Sequence, residues 1–227
     1  MSVLTAARTV AEKARTLAAE LLEASADDVV LDRDAGRFHV AGTPSVAVDW
    51  AAVVAAAGPH GLAVTDYFAP SGPTFPFGAH LAVVELDVET GEVRLARIVT
   101  VDDAGTVVHP AIVEGQRHGG IAQGAAQALL EEFRYDDDGN PLTTNLMDYP
   151  MISAMELPSF ELLDMQTPTP VNPLGVKGIG ESGTTGSIAA VHNAVCDALA
   201  PYGITHLDLP ATPERVWRAL RDAGVVE

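Results

Sequence analysis

The stretch GVKGIGESGTTGS, residues 175–187, decides how the rest of this chain is read. It sets one carboxylate, Glu181, among Gly175, Gly178, Gly180, Gly183 and Gly186. Glycine frees the main chain to take positive φ and to lie close against another body. A helix-forming run, residues 187–199, follows directly. Glycine-rich backbone feeding a helix N-terminus makes an anion cradle, because unpaired N–H groups and the positive dipole end converge there. A base beside such a cradle reads as a cofactor site; the other reading is a flexible turn whose Glu181 favours the helix start. The spacing is neither the phosphate-binding GxxxxGK(S/T) pattern nor a dinucleotide GxGxxG after a strand.

Outward from that loop the chain alternates helices and strands, which predicts an α+β fold with mixed and antiparallel strands and packed helices. A helix is expected over 4–24, then a hairpin of strands 28–32 and 36–41 turning at Asp34-Ala35-Gly36. Residues 47–57 read as a short helix, 62–68 as a strand and 69–78 as a Pro/Gly loop. Strands 79–89 and 92–102 flank Glu89-Thr90-Gly91 with the alternation of half-buried antiparallel strands. A helix follows over 110–133, started by His109-Pro110, and Asp136 to Asn140 turn the chain. Residues 141–174 read as irregular and wrapped over a partner, since Leu146, Met147, Tyr149, Ile152 and Met155 are too apolar to be free. Helix 184–200, strand 205–209 and helix 212–222 complete the chain, with Pro213 in the last helix's first turn. The whole reads as one domain, 1–227, with a possible division at 1–70 and 71–227.

Helix 110–133 carries Gly115, Gly119, Gly120 and Gly124. At about 1 kcal/mol each against Ala, these cost about 4 kcal/mol, a large fraction of a domain's stability. Close approach of the backbone to a neighbour is the expected compensation. Gln116 and Gln123 stand seven residues apart, two helical turns, so both amides share a face.

Composition narrows the partners. The 227 residues carry a formal charge of −18, which argues against nucleic acid and anionic membrane surfaces. No apolar run approaches the ~20 residues that span a bilayer. The N-terminus is an amphipathic helix carrying Glu12, Lys13, Arg15 and Glu20, not a signal peptide, so a cytoplasmic location is expected. The single cysteine, Cys196, cannot form an internal disulfide or hold an iron–sulfur cluster. It reads as a buried, inert thiol. His80, His109, His118, His192 and His206 show no HxxxH or HExxH spacing, so no metal site is assigned.

The segment GVKGIGESG with the helix SIAAVHNAVCDAL closely resembles the C-terminal motif of the molybdenum hydroxylases, the xanthine dehydrogenase, aldehyde oxidoreductase and aerobic carbon monoxide dehydrogenase family. Residues 86–132, LDVETGEVRLARIVTVDDAGTVVHPAIVEGQRHGGIAQGAAQALLEE, resemble that family's strand pair and glycine-rich helix. The resemblance covers roughly residues 5–222. It implies the C-terminal portion of a molybdopterin-binding domain, and the chain reads as a separately encoded piece of a split large subunit.

The resemblance further implies hydroxylation of an electron-poor carbon, in an N-heterocycle or aldehyde, with water as oxygen source. Glu181 would be the general base. A molybdenum-pterin cofactor, in a dinucleotide form such as molybdopterin cytosine dinucleotide, would be contacted by Gln123 and Gln116, with Gly178 and Gly180 beside it. Lys177 would contact a phosphate or hold Glu181 ionised, unless it is simply solvated. Asp102, in Asp102-Asp103-Ala104-Gly105, would lie near the nucleotide end; a plain turn with the carboxylates capping N–H groups fits the residues equally. Implied partners are the N-terminal part of the molybdenum subunit, a [2Fe-2S] subunit and an FAD subunit, acting on a small-molecule substrate. The alternatives are a carbon monoxide dehydrogenase-type subunit and a non-catalytic scaffolding subunit.

Overall fold

The computed structural model describes all 227 residues, which divide into two compact units, Met1–Ser71 and Gly72–Glu227. In the first, α1 (Ser2–Leu21) turns Ala14 and Ala18 inward. Four-residue spacing puts both on one helix face, and such small side chains let Val29, Phe38 and Val53 pack close. Strands β1 (Val29–Asp32), β2 (Arg37–Val40) and β3 (Thr43–Asp49) form an antiparallel sheet in that order. The hairpin between β1 and β2 falls where expected, with Gly36 at φ 63°.

Two expectations in this unit fail. Residues 47–49, expected in the helix, belong to β3 and pair with β2. The Asp49 carboxylate accepts the Ala52 N–H at 2.8 Å, and this cap starts α2 at Trp50 (Trp50–Ala57). No strand forms at 62–68; an apolar alternating run needs a partner edge, and none is offered there.

In the second unit β4 (Phe77–Leu86) and β5 (Val93–Asp103) form an antiparallel pair. The Asp87 carboxylate closes their turn by accepting the N–H groups of Glu89 and Thr90. β6 (Phe160–Met165) then pairs parallel to β5. Residues 141–174 were expected to be irregular throughout, so this strand corrects the reading. Its partner lies 62 residues earlier, Ile98 beside Phe160, and no local pattern announces such a crossover. The expected strand 205–209 does not form.

One face of this sheet packs against α3 (Pro110–Leu129) and α4 (Ser182–Leu199). Leu95, Ile98, Ile121, Val191, Val195 and Leu199 make the core, joined by Val216 and Leu220 of α5 (Pro213–Asp222). The His109 ring nitrogen accepts the Ile112 N–H and starts α3. Its end comes four residues before expected, where Ala126 O takes the N–H groups of both Leu130 and Glu131.

Glycine governs the α3–α4 contact. A Cβ on Gly124 would stand 2.0 Å from Ser187 Oγ and 2.9 Å from Thr184 O. One on Gly183 would stand 2.8 Å from Arg117 O and 3.0 Å from Ile121 N. Gly120 meets the same obstacle at Thr184 N, 2.9 Å. Gly115 and Gly119, expected to pack likewise, instead face open space. Within the motif only Gly175 takes positive φ, 69°; Gly183 and Gly186 lie inside α4, where they serve proximity rather than turning.

Two substitutions separate these roles. Gly183→Ala forces backbone against backbone and should lower stability by about 1–3 kcal/mol. Gly115→Ala relieves a helix glycine in free space and should raise it by about 1 kcal/mol. Urea unfolding midpoints of the two variants check both signs.

Candidate functional site

Helix α4 begins at Ser182, with Glu181 as its N-cap residue at φ −110°, ψ 0°. The backbone fixes that position: Ser182 N–H donates to Ile179 O, and Thr185 N–H to Glu181 O. The Glu181 side chain caps nothing and is exposed. It lines a cleft of about 510 Å³ with Phe77, Gly78, His80, Gly178 and Thr185 among its walls. A second recess of about 330 Å³ is lined by Gly115, Gln116, Gly119, Gly120, Gln123 and Gly180. Gly180 borders both spaces, so the carboxylate and the two amides address adjoining volumes with only glycine between them.

Behind the cleft lies a buried polar network centred on Asp102, whose side chain has no exposure. His80 Nε2 approaches Asp102 Oδ1 at 3.1 Å, and Ser182 Oγ donates to the same oxygen. Arg117 Nε donates to Oδ2 at 2.9 Å. The guanidinium's other donors reach Asp164 at 2.7 Å, Leu163 O at 2.8 Å and Thr100 Oγ1 at 3.1 Å. A planar fork suits this division, since each N–H points in a fixed direction. His80 enters because Gly186 has no side chain: a Cβ there would lie 2.5 Å from the imidazole.

Asp103, on the opposite face of β5, accepts from Lys177 Nζ at 3.2 Å and from Gly105 N–H at 2.6 Å. Neighbouring carboxylates therefore hold the two ends of the segment 177–182, Asp103 at Lys177 and Asp102 at Ser182.

Asp102 and Lys177 both have partners within the chain. Asp102 bonds to His80, Ser182 and Arg117 and also lines the Glu181 cleft. Lys177 pairs with Asp103 and sits 4.6 Å over the Phe77 ring. Gln116 and Gln123 share one recess, Gly178 lines the cleft, and Gly180 lines both. Cys196, expected to be buried, is partly exposed, its sulfur 3.7 Å from His192 Nε2.

The residues missed were His80, Arg117 and the role of Ser182. Arg117 carried a signal: an arginine on a glycine-rich, tightly packed helix face is costly to bury without a carboxylate partner.

Comparison with known proteins bears on what the two recesses hold. Residues 1–158 match the model of the molybdopterin cofactor-binding domain. The chain belongs to that family. It is 40% identical to the carbon monoxide dehydrogenase large chain of Hydrogenophaga pseudoflava, over 97% of this chain and 28% of the relative. It is 39% identical to the nicotine 6-hydroxylase large subunit of Paenarthrobacter nicotinovorans, over 98% and 28%. Among solved structures it resembles carbon monoxide dehydrogenase from Oligotropha carboxidovorans, with TM-score 0.82 and 34% identity over 96% of this chain and 28% of that one. Quinoline 2-oxidoreductase from Pseudomonas putida 86 gives TM-score 0.80 and 40% identity over 94% and 28%. The chain thus spans about 28% of the length of these relatives.

Burial by itself would raise the Asp102 carboxyl, but hydrogen bonds from His80 and Ser182 and the Arg117 charge outweigh it and hold it below the usual range. Burial opposes Asp103 in the same way, and the nearby Thr167 donors with the hydrogen bonds from Gly105 N–H and Lys177 bring it down to about 2. Depressed folded values mean that both groups stabilise the fold fully above the ordinary carboxylate value of 3.8. That contribution is lost as pH falls toward 2 and below. Unfolding midpoints measured against pH should drop steeply through that window. Asp102→Ala leaves Arg117 buried without its partner and should cost about 3–5 kcal/mol at neutral pH, read by the same denaturation assay.

Proposed function

We propose that this chain supplies one wall of a molybdenum-pterin site and the general base of a molybdenum hydroxylase. The observation that carries the reading is Glu181: a carboxylate on a fixed helix start, unspent within the chain, beside a glycine-floored recess that carries two free amides. A buried network tethers the next residue, Ser182, while leaving Glu181 itself open to the cleft. A scaffolding subunit has no use for such an arrangement.

The recess fits a flat polar cofactor. Gly115 and Gly119 present no side chains, so a ring system can lie on the helix surface. Gln116 and Gln123 border the same space with amides that both donate and accept. When bound, the cofactor supplies the two-electron oxidation of the substrate carbon and the oxygen drawn from water. Gln116 and Gln123 orient it by hydrogen bonds, and Gly178 and Gly180 let it approach the backbone. Glu181 takes the proton released as the new carbon–oxygen bond forms. Phe77 and Pro76 give the cleft an apolar wall on which a planar substrate can stack.

The substrate class proposed is an electron-poor carbon of an N-heterocycle or an aldehyde. Names of relatives such as nicotine 6-hydroxylase and quinoline 2-oxidoreductase favour the heterocycle. A carbon monoxide dehydrogenase-type subunit is the second reading, favoured by the 40% identity to such a large chain. The working enzyme would contain the remainder of the molybdenum subunit, a [2Fe-2S] subunit and an FAD subunit, with the cofactor in a dinucleotide form such as molybdopterin cytosine dinucleotide. No helix is long and apolar enough to cross a membrane, and a cytoplasmic location is proposed.

In the assembled enzyme Glu181→Gln should lower kcat by about 10²–10⁴-fold with molybdenum content unchanged. The isosteric amide keeps volume and reach and deletes only proton acceptance. Near-normal kcat at full metal occupancy would place the base elsewhere. Gln116→Ala with Gln123→Ala should instead lower molybdenum content, measured by elemental analysis. Turnover assays on N-heterocycles, aldehydes and carbon monoxide separate the two substrate readings.

A further inference from the structure

The β4–β5–β6 sheet carries apolar side chains on both faces. Its inner face, with Leu95, Ile98 and Leu162, packs into the α3–α4 core. Cross-strand partners point to the same side of a sheet, so the register defines the outer face row by row. Val83 stands beside Arg97, Leu81 beside Val99, and Ala79 beside Val101. On the other side of β5, Glu161 flanks Val99 and Leu163 flanks Val101. The next row is Phe77, Asp103 and Met165, where Lys177 covers the buried Asp103.

Flanked by Lys177 at one end and the exposed Arg97–Glu161 pair at the other lies an apolar strip: Ala79, Leu81, Val83, Val99, Val101 and Leu163. Leu81 is 56% exposed and Leu163 54%. A solvated antiparallel face reads polar, and a contiguous exposed apolar strip marks an interaction surface.

We infer that this outer sheet face is the docking surface for the remainder of the molybdenum subunit, which lays an apolar layer across Leu81, Val101 and Leu163. Two observations choose that occupant over a second copy of this chain. Relatives that match this chain along 97–98% of its length are covered by it over only 28% of theirs, so most of the polypeptide that accompanies this fold lies outside it. The chain's charge of −18 sets two copies in mutual repulsion. The strip also runs on to Phe77, which lines the Glu181 cleft, so the docked layer reaches the mouth of that cleft and closes it. The inference rests on the proposed function for its partner, but its test reads binding, not turnover.

The chain is titrated with the separately produced remainder of the large subunit from the same source, and the Kd is measured by calorimetry. Leu81→Asp combined with Leu163→Asp should weaken binding at least 100-fold, with the circular dichroism and unfolding midpoint of the lone chain unchanged. The milder pair Leu81→Ala and Leu163→Ala, which adds no charge, should weaken it about tenfold. Leu146→Asp with Met147→Asp, on the other exposed apolar segment, should leave Kd within about threefold.

Unchanged Kd in the sheet variants, or loss only in the Leu146/Met147 variant, overturns the assignment. So does a lone chain that sediments as a dimer and becomes monomeric with Leu81→Asp, because the occupant is then a second copy. Full metal loading and a Glu181-dependent kcat alongside unchanged Kd would sink the docking surface alone. Loss of Kd in the sheet variants with a Glu181→Gln enzyme of normal kcat would sink the catalytic reading alone.

Discussion

A single buried carboxylate, Asp102, bonded at once to Arg117, His80 and Ser182, is the constraint on which the rest of the second unit depends. Placing a carboxylate and a guanidinium together out of water is costly unless nearly every donor and lone pair is used. Here the four groups come from β5, α3, β4 and the start of α4. Satisfying the charge and setting the mutual positions of those elements are one event. Asp103 does the same for Lys177 from the other face of the strand. The segment between, with Gly178, Gly180 and Glu181, is tied at both ends by residues adjacent in sequence. Glycine loops are mobile by composition; this one is held by its ends.

Glycine in this fold does three different jobs that look alike in a sequence. Gly175 supplies a positive φ. Gly120, Gly124 and Gly183 let two helix backbones touch, and Gly186 admits an imidazole. Gly115 and Gly119 touch nothing and leave a smooth surface. The sum of about 4 kcal/mol for the α3 glycines is therefore offset within this unit only at Gly120 and Gly124. The other two leave bare helix surface at the recess, which Gly120 borders as well.

What was legible in the sequence was whatever depends on neighbours a few residues away: the amphipathic α1, the β1–β2 and β4–β5 hairpins, the His109-Pro110 start of α3, the shared face of Gln116 and Gln123, and Glu181 before a helix. What escaped was set across the chain. β6 pairs with a strand 62 residues upstream. The end of β3 was hidden because residues 47–57 read as helical, and only the Asp49 cap moves the boundary. The partners of Asp102 and Lys177, Arg117 and Asp103, lie 15 and 74 residues away. A charged residue in a sequence shows that it needs a partner, not which one it finds.

The span of the Asp102 network has a consequence for the order of events. Its hydrogen bonds join residues 80 apart for Ser182, 22 for His80 and 15 for Arg117, while Arg117 reaches Asp164 across 47. Contacts of such separation require large loops to close before they contribute, and they slow folding. A chain with the β4–β5 hairpin and α3 in place but α4 undocked has neither the cleft nor a fixed Glu181. The cleft and the fixed position of Glu181 therefore exist only where the start of α4 meets Asp102.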